Sequence, residues 1–199
     1  DVVAGVIGLL GFVSSSLGMT STRFLSISLG KNDDEGTRKA FNSCFWTHVL
    51  MAAGLVLVLE IVSLFVFDGY LKIAPDRIPT AKWIYQCMLV SLFLSITVTP
   101  FVSMQISHEN FIYVSLVYIL DALCKLGIAI IITQYNQDKL LLYGILMMLI
   151  TLLNVLCFVV YSLICYRKQI SIKIIPMKEL KSVSGFAGWT MLDSLGATL

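Results

Sequence analysis

Long apolar stretches, separated by short polar ones, fill almost the whole chain. A helix that crosses the hydrocarbon core of a bilayer needs roughly 20 mostly apolar residues. Five stretches reach about that length, and a sixth begins at Val183 and runs to Leu199. The five complete stretches are residues 1–29, 41–67, 81–106, 111–133 and 140–166. The pattern predicts an all-α fold: a multi-pass transmembrane helix bundle with five spans plus the start of a sixth.

Two other folds fit this pattern poorly. Only 13% of the residues are charged, whereas a soluble domain carries about 25%. A buried helix of a soluble protein rarely stays apolar beyond about 14 residues, yet residues 145–166 contain no charged side chain. The strands of a membrane β-barrel would alternate apolar and polar residues, and residues 140–153 do not alternate.

Both ends of the sequence lie inside apolar stretches. The chain begins at Asp1 without a methionine, and no basic segment precedes its first apolar stretch. A secretory signal peptide would carry such a basic segment. We therefore expect an internal piece of a longer protein.

The basic residues of the connecting segments are distributed unequally between the two sides of the bundle. Segments 30–40, 107–110 and 167–182 share one side and carry eight Lys and Arg residues, against three in segments 68–80 and 134–139. Because Lys and Arg are retained on the cytoplasmic side, we expect segments 30–40 and 167–182 to be cytoplasmic, in a plasma (inner) membrane. Basic residues at membrane borders do not form the solvated basic face of a nucleic-acid-binding protein, so the expected surroundings are membrane lipids and no nucleic acid.

Several charged residues interrupt the apolar stretches. Such residues usually face a protein interior or a water-filled cavity, because a charge in hydrocarbon is costly. Asp121 and Lys125 are four residues apart and share one helix face with Tyr118. The pair either fixes helix packing or lines a substrate path. Away from the ends of the apolar stretches, the other charged residues are Arg23, Glu60 and Asp193.

Arg23 follows a segment rich in small hydroxyl residues, 14–22, which includes Ser16 and Thr20. Small hydroxyl residues let helices approach closely and can line a wet cavity. Arg23 either extends to the headgroup region with its charged end or faces an anionic group of a substrate, which a guanidinium binds well.

Enzyme chemistry finds little support in the sequence. The five cysteines all fall within apolar stretches and have neither a redox nor a metal-ligand spacing. No phosphate-binding glycine-rich loop, HExxH or GxSxG motif is present. We therefore expect no enzyme activity, no cofactor and no metal site.

The junction after the first apolar stretch resembles a known family. It contains the pair Arg23-Phe24, the run Leu29-Gly30-Lys31, acidic residues at 33–35 and Arg38. This arrangement resembles the bacterial polysaccharide flippases of the O-antigen and teichoic-acid type, in the multidrug/oligosaccharidyl-lipid/polysaccharide exporter superfamily. Residues 180–189 resemble the opening of that family's seventh helix.

The resemblance implies a fold, a function and a set of residues. Residues 1–182 would hold helices two to six of the N-terminal lobe of a two-lobe transporter with its basic linker, and residues 183–199 would begin the second lobe. By alternating access, the protein would flip a lipid-linked saccharide across the membrane, next to other polysaccharide assembly proteins. The candidates for the substrate path are Arg23, Asp121, Lys125, Tyr118, Ser16 and Thr20.

Three other functions stay open on the sequence. A drug or cation antiporter of the same fold would favour acidic cavity residues, and Asp121 is matched here by Lys125. A membrane-embedded saccharide polymerase would need a sizeable external loop, whereas the segments assigned to the outside are short. A structural or assembly subunit would have less use for charges inside the membrane.

Overall fold

The computed structural model describes residues 17–65, 77–135 and 138–173, which are helical apart from short turns and contain no strand. The helices are α1 (17–30), α2 (Asp34–Phe65), α3 (Ile78–Ser107), α4 (Phe111–Gln134) and α5 (Lys139–Cys165). Helices α2, α3, α4 and α5 are each long and apolar enough to cross a membrane. The prediction of an all-helical fold with several membrane-length helices is confirmed for these residues, whereas the count of five spans and part of a sixth stays a prediction. Residues 1–16 of the first predicted span, and the span predicted from residue 183, lie outside the described residues.

Helix α2 begins earlier than its apolar stretch. We expected a span from residue 41, but the helix starts at Asp34 and contains most of the predicted loop 30–40. The Asp33 side chain accepts a hydrogen bond from the Gly36 backbone N–H at 2.8 Å. Asp34 and Glu35 lie in the first turn, where carboxylates favour the positive end of the helix dipole. The polar residues that mark the membrane border therefore belong to the helix.

Helix α3 also begins earlier than predicted, because a proline starts it. The apolar stretch predicted a start at residue 81, and the prediction that segment 68–80 connects two helices is wrong for residues 78–80. Pro79 occupies the first turn of α3, where the missing N–H has no helical partner to lose. Pro100 lies inside the same helix and removes one backbone hydrogen bond there.

Helix α3 is the central element of the bundle. It packs most extensively against α5 and next against α2, while α4 packs mainly against α5. Phe41 of α2 and Phe101 of α3 meet edge to face at the centre of one apolar cluster, with ring centroids 5.1 Å apart. Leu25 of α1 and Phe158 of α5 belong to the same buried cluster. Because α3 packs against several helices, its residues can line sites on more than one of its faces.

Hydroxyl groups connect α1 to α3. Ser103 donates a hydrogen bond to the Gly18 carbonyl at 3.2 Å, and Ser107 donates to the Thr22 carbonyl at 3.1 Å. Ser26 then donates to the Ser107 hydroxyl at 3.2 Å. Gly18, Thr22 and Ser26 follow one another at one-turn spacing on α1, as Ser103 and Ser107 do on α3. Small residues allow this close approach. The contacts fix the rotation of α1 and thereby the direction of the side chains that follow Thr22.

The segment after α5 lies against the start of α2. It is held there by hydrogen bonds among Asn42, Trp46 and Lys173, which we call the exit clasp. The Lys173 carbonyl accepts hydrogen bonds from Asn42 Nδ2 at 2.7 Å and from Trp46 Nε1 at 2.9 Å. The Lys173 N–H donates to Asn42 Oδ1 at 3.2 Å. Gln169 adds a bond to Asp34 Oδ1 at 2.8 Å. The described part of the basic segment after α5 therefore lies at the same end of the bundle as the α1–α2 turn.

Candidate functional site

A cavity of about 950 Å³ lies between α1, α3, α4 and α5. Its size is near the upper end of the range for small-molecule sites, about 300–1,000 Å³. One part of the wall is apolar and includes Val98, Val102 and Phe158. The polar lining residues are Thr22, Arg23, Ser95, Thr99, Ser103, Tyr118, Asp121, Lys125, Thr151 and Asn154. Such a concentration of polar groups between apolar helices marks this cavity as the candidate site.

Four of the predicted candidates meet in this cavity. Arg23 comes from α1, whereas Tyr118, Asp121 and Lys125 come from α4. The two helices are far apart in the sequence, and the fold places them on the wall of one cavity. Arg23 therefore lies on the cavity wall, and its contact with an anionic group of a substrate stays a prediction.

The remaining candidates have other positions. Thr20 is only 2% exposed and is not among the lining residues. Glu60 lies between α2 and α3, where Gln86 Nε2 donates to its carboxylate at 2.8 Å. Ser16 and Asp193 lie outside the described residues.

Both carboxylate oxygens of Asp121 are engaged by other side chains. Lys125 Nζ lies 2.7 Å from Asp121 Oδ2. Asn154 of α5 donates from Nδ2 to Asp121 Oδ1 at 2.6 Å. One carboxylate oxygen thus faces a cation of its own helix, and the other receives a donor from the neighbouring helix. The pair is joined to α5 through Asn154 and also lines the cavity, and its place on a substrate path stays a prediction.

Several polar lining residues were not expected. Ser95, Thr99 and Ser103 form a stripe of hydroxyl residues at four-residue spacing on α3, which places them on one helix face. That spacing is visible in the sequence and could have identified the stripe. Asn154 is different, because nothing in the sequence connects it to Asp121 on another helix.

The described lining of the cavity carries more positive than negative side chains. Its lining holds two cationic side chains, Arg23 and Lys125, and one carboxylate, Asp121. Guanidinium and ammonium groups form charge-assisted hydrogen bonds with phosphate and carboxylate oxygens. The hydroxyl stripe and the Thr151 side chain offer further donors and acceptors to a neutral polar group. Within the described ranges, no group of three or more His, Cys, Asp or Glu residues could hold a metal ion.

A second polar site lies directly behind the cavity wall. Gln105 of α3 is fully buried, and its Nε2 donates to the Phe158 carbonyl at 3.2 Å and to the Ser162 hydroxyl at 3.0 Å. Ser162 in turn donates to the Phe101 carbonyl at 3.5 Å. The site contains no charge, and its groups hold α3 against α5.

Comparisons of the chain with protein-family models, with curated proteins and with solved structures give no match. The likeness of the α1–α2 junction to polysaccharide flippases therefore stays a prediction from the sequence, and the function rests on the cavity and its residues.

Proposed function

We propose that this chain is part of a transporter that flips a lipid-linked, phosphate-bearing saccharide across the plasma membrane by alternating access, without covalent chemistry. The observation that supports it most directly is the cavity, which gathers Arg23, Asp121 and Lys125 between apolar helices. Charges in such a place are costly unless a water-filled path or a ligand uses them. In this proposal, Arg23 and Lys125 hold the phosphate groups of the substrate.

The remaining lining of the cavity fits the saccharide part of such a substrate. Sugars present hydroxyl groups that need both donors and acceptors. Ser95, Thr99 and Thr151 supply hydroxyl groups, and Tyr118 supplies an aromatic ring with a hydroxyl. A cavity of about 950 Å³ has room for a few sugar units.

The proposal includes an arrangement in the membrane. Helices α1 to α5 are five spans of the N-terminal lobe, and residues 183–199 begin a sixth span in the second lobe. Segments 30–40 and 167–182 are cytoplasmic in this arrangement. The exit clasp supports a common side for the two segments, because Lys173 contacts Asn42 near the start of α2.

The antiporter alternative has less support from the cavity. A cationic drug would need a carboxylate able to accept its charge. Asp121 is the acidic residue of the described lining, and its oxygens are already engaged by Lys125 and Asn154. Two cations on the same lining would also repel a third.

The gene's deletion in its host tests the proposal at the level of function. We expect surface polysaccharide to be lost and lipid-linked repeat units to accumulate inside the cell, and the intact gene to reverse both effects. Normal surface polysaccharide with altered sensitivity to cationic drugs would contradict the flippase proposal and favour the antiporter.

Single substitutions test the cavity. Arg23→Ala and Lys125→Ala should each reduce export by about tenfold or more, since a lost charge-assisted hydrogen bond costs about 1.5–3 kcal/mol. Lys139→Ala is the matched control, because Lys139 is an exposed cation at the start of α5 and does not line the cavity. All variants should reach the membrane in normal amounts. Normal export by both cavity variants would remove these residues from the substrate path.

A further inference from the structure

The two members of the Asp121–Lys125 pair both line the cavity and differ in side-chain exposure. The Lys125 side chain is 48% exposed, whereas the Asp121 side chain is 17% exposed. Lys125 Nζ and Asp121 Oδ2 are 2.7 Å apart. A ligand that enters the cavity therefore meets the ammonium group more readily than the carboxylate behind it.

The Asp121 carboxylate is also held to the cavity wall by a residue of another helix. Asn154 Nδ2 donates to Asp121 Oδ1 at 2.6 Å. The Asn154 side-chain oxygen is buried and has no hydrogen-bond partner within the described residues, which is a costly arrangement for an amide. The amide is thus oriented toward the carboxylate. If Lys125 turned away, this hydrogen bond would keep Asp121 at the wall.

We propose that Asp121 acts as an internal competitor for the substrate anion. In the empty cavity its carboxylate forms an ion pair with the Lys125 ammonium group. A phosphate-bearing ligand binds by pairing with that ammonium group in place of Asp121, while the hydrogen bond from Asn154 holds the carboxylate at the cavity wall. This inference rests on the proposed function and adds a rule of selectivity to it. A ligand must attract Lys125 more strongly than one carboxylate does, which favours a pyrophosphate over a singly charged anion.

The competition has a measurable consequence for affinity. When a site is competent for only part of the time, the apparent dissociation constant is the intrinsic one divided by the competent fraction. The ion pair makes Lys125 available for only a fraction of the time. Asp121→Asn removes the competing charge, but its side-chain oxygen still accepts from Asn154. Removal of the competitor should therefore strengthen anion binding, although it disrupts an ion pair of the protein.

The test uses the full chain, purified into nanodiscs of zwitterionic phosphatidylcholine and titrated with inorganic pyrophosphate by calorimetry. Asp121→Asn should bind pyrophosphate about tenfold more tightly than the wild type, and Lys125→Gln about tenfold less tightly. In the double variant, the gain from Asp121→Asn should disappear, because Lys125 is the group that Asp121 occupies. Dimethyl phosphate, a single negative charge, should bind measurably to Asp121→Asn and much more weakly to the wild type.

Glu60→Gln is the matched control for net charge. It removes the same charge from the protein, but Glu60 lies between α2 and α3 and does not line the cavity. Its affinity for pyrophosphate should equal that of the wild type. A parallel titration with a short polyprenyl pyrophosphate separates two sources of the anion. Tighter binding of the prenyl compound assigns the site to a lipid headgroup, and equal binding assigns it to a free phosphate compound.

Two results would overturn the competition: Asp121→Asn binding no tighter than the wild type, or Glu60→Gln giving an equal gain. Thermal unfolding checks that each variant is folded, and Asp121→Ser replaces the Asn variant if that one fails to insert. Export separates this inference from the proposed function. Normal surface polysaccharide after deletion of the gene contradicts the transport proposal, whereas impaired export by Lys125→Ala with no gain in Asp121→Asn binding contradicts the competition alone.

Discussion

Two polar sites lie on α5, one behind the other, and Phe158 belongs to both. Its side chain lines the cavity, and its carbonyl accepts the hydrogen bond from Gln105. The site of Gln105 and Ser162 is the inner one, and both residues are neutral and fully buried. In the cavity, Lys125 is charged and 48% exposed.

The difference separates two uses of polar residues inside a membrane. A neutral group that is buried and hydrogen-bonded across helices holds those helices in one arrangement. A charged group with an exposed side keeps a surface that a ligand can use, and it stays solvated when the ligand is absent. Exposure to the cavity and charge, taken together, therefore distinguish the candidate functional residues from the structural ones.

A carboxylate introduced at each site should give the largest difference between the two sites in the free energy of unfolding. Gln105→Glu puts a charge into a fully buried position next to the Phe158 carbonyl, and should lower the free energy of unfolding by about 3–5 kcal/mol. Ser95→Glu puts the same group on an exposed position of the cavity and should cost less than about 1 kcal/mol. Unfolding by dodecyl sulfate in mixed micelles measures both changes. Equal losses would show that the cavity is no more hydrated than the inner site.

Removal of one hydroxyl group from each site gives a smaller contrast. Ser162→Ala takes away an acceptor of Gln105 and should destabilise the protein by about 1–2 kcal/mol. Thr151→Ala removes a cavity hydroxyl that donates only within its own helix, to the Met147 carbonyl at 3.0 Å. That change should stay within about 0.5 kcal/mol. The same micelle titration applies, and a larger loss for Thr151→Ala would reverse the assignment of the two sites.

Alanine substitutions at two glycines, one on the closed side of the bundle and one on the open side, should change stability the least. A Cβ atom at Gly127 of α4 would meet nothing within 4 Å, so Gly127→Ala should stabilise the helix by about 0.5–1 kcal/mol. A Cβ atom at Gly144 of α5 would lie 3.3 Å from two carbon atoms of Ile84 on α3. Gly144→Ala should therefore gain less than Gly127→Ala, or lose stability. Equal gains in stability would show that the α3–α5 contact adjusts to an added methyl group at little cost.

The helices and the charged candidates could be predicted because both follow from the cost of transfer into hydrocarbon. That cost depends on residue type and on length, and both can be read along the chain. It selected Arg23, Asp121 and Lys125 before their positions in space were known. It did not locate the start of α2, because the helix continues through Asp34 and Glu35 beyond the apolar stretch.

Contacts between helices could not be predicted in the same way. The bond from Asn154 to Asp121 depends on which helices are neighbours and how each is rotated about its axis. Many residues contribute to that rotation, among them Ser103 and Ser107 through their bonds to α1. A single sequence shows the spacing along one helix and leaves the facing helix undetermined.

The exit clasp has a consequence for the order of events during synthesis. Asn42 and Lys173 are 131 residues apart in the chain. At ribosomal speeds of about 5–20 residues per second, the delay between them is on the order of ten seconds. Asn42 is thus made, and α2 can enter the membrane, well before the carbonyl that both Asn42 and Trp46 bind has been synthesised. The start of α2 acquires the hydrogen bonds to Lys173 only after α5 is complete, so the first part of the described bundle depends on the last part for its final contacts.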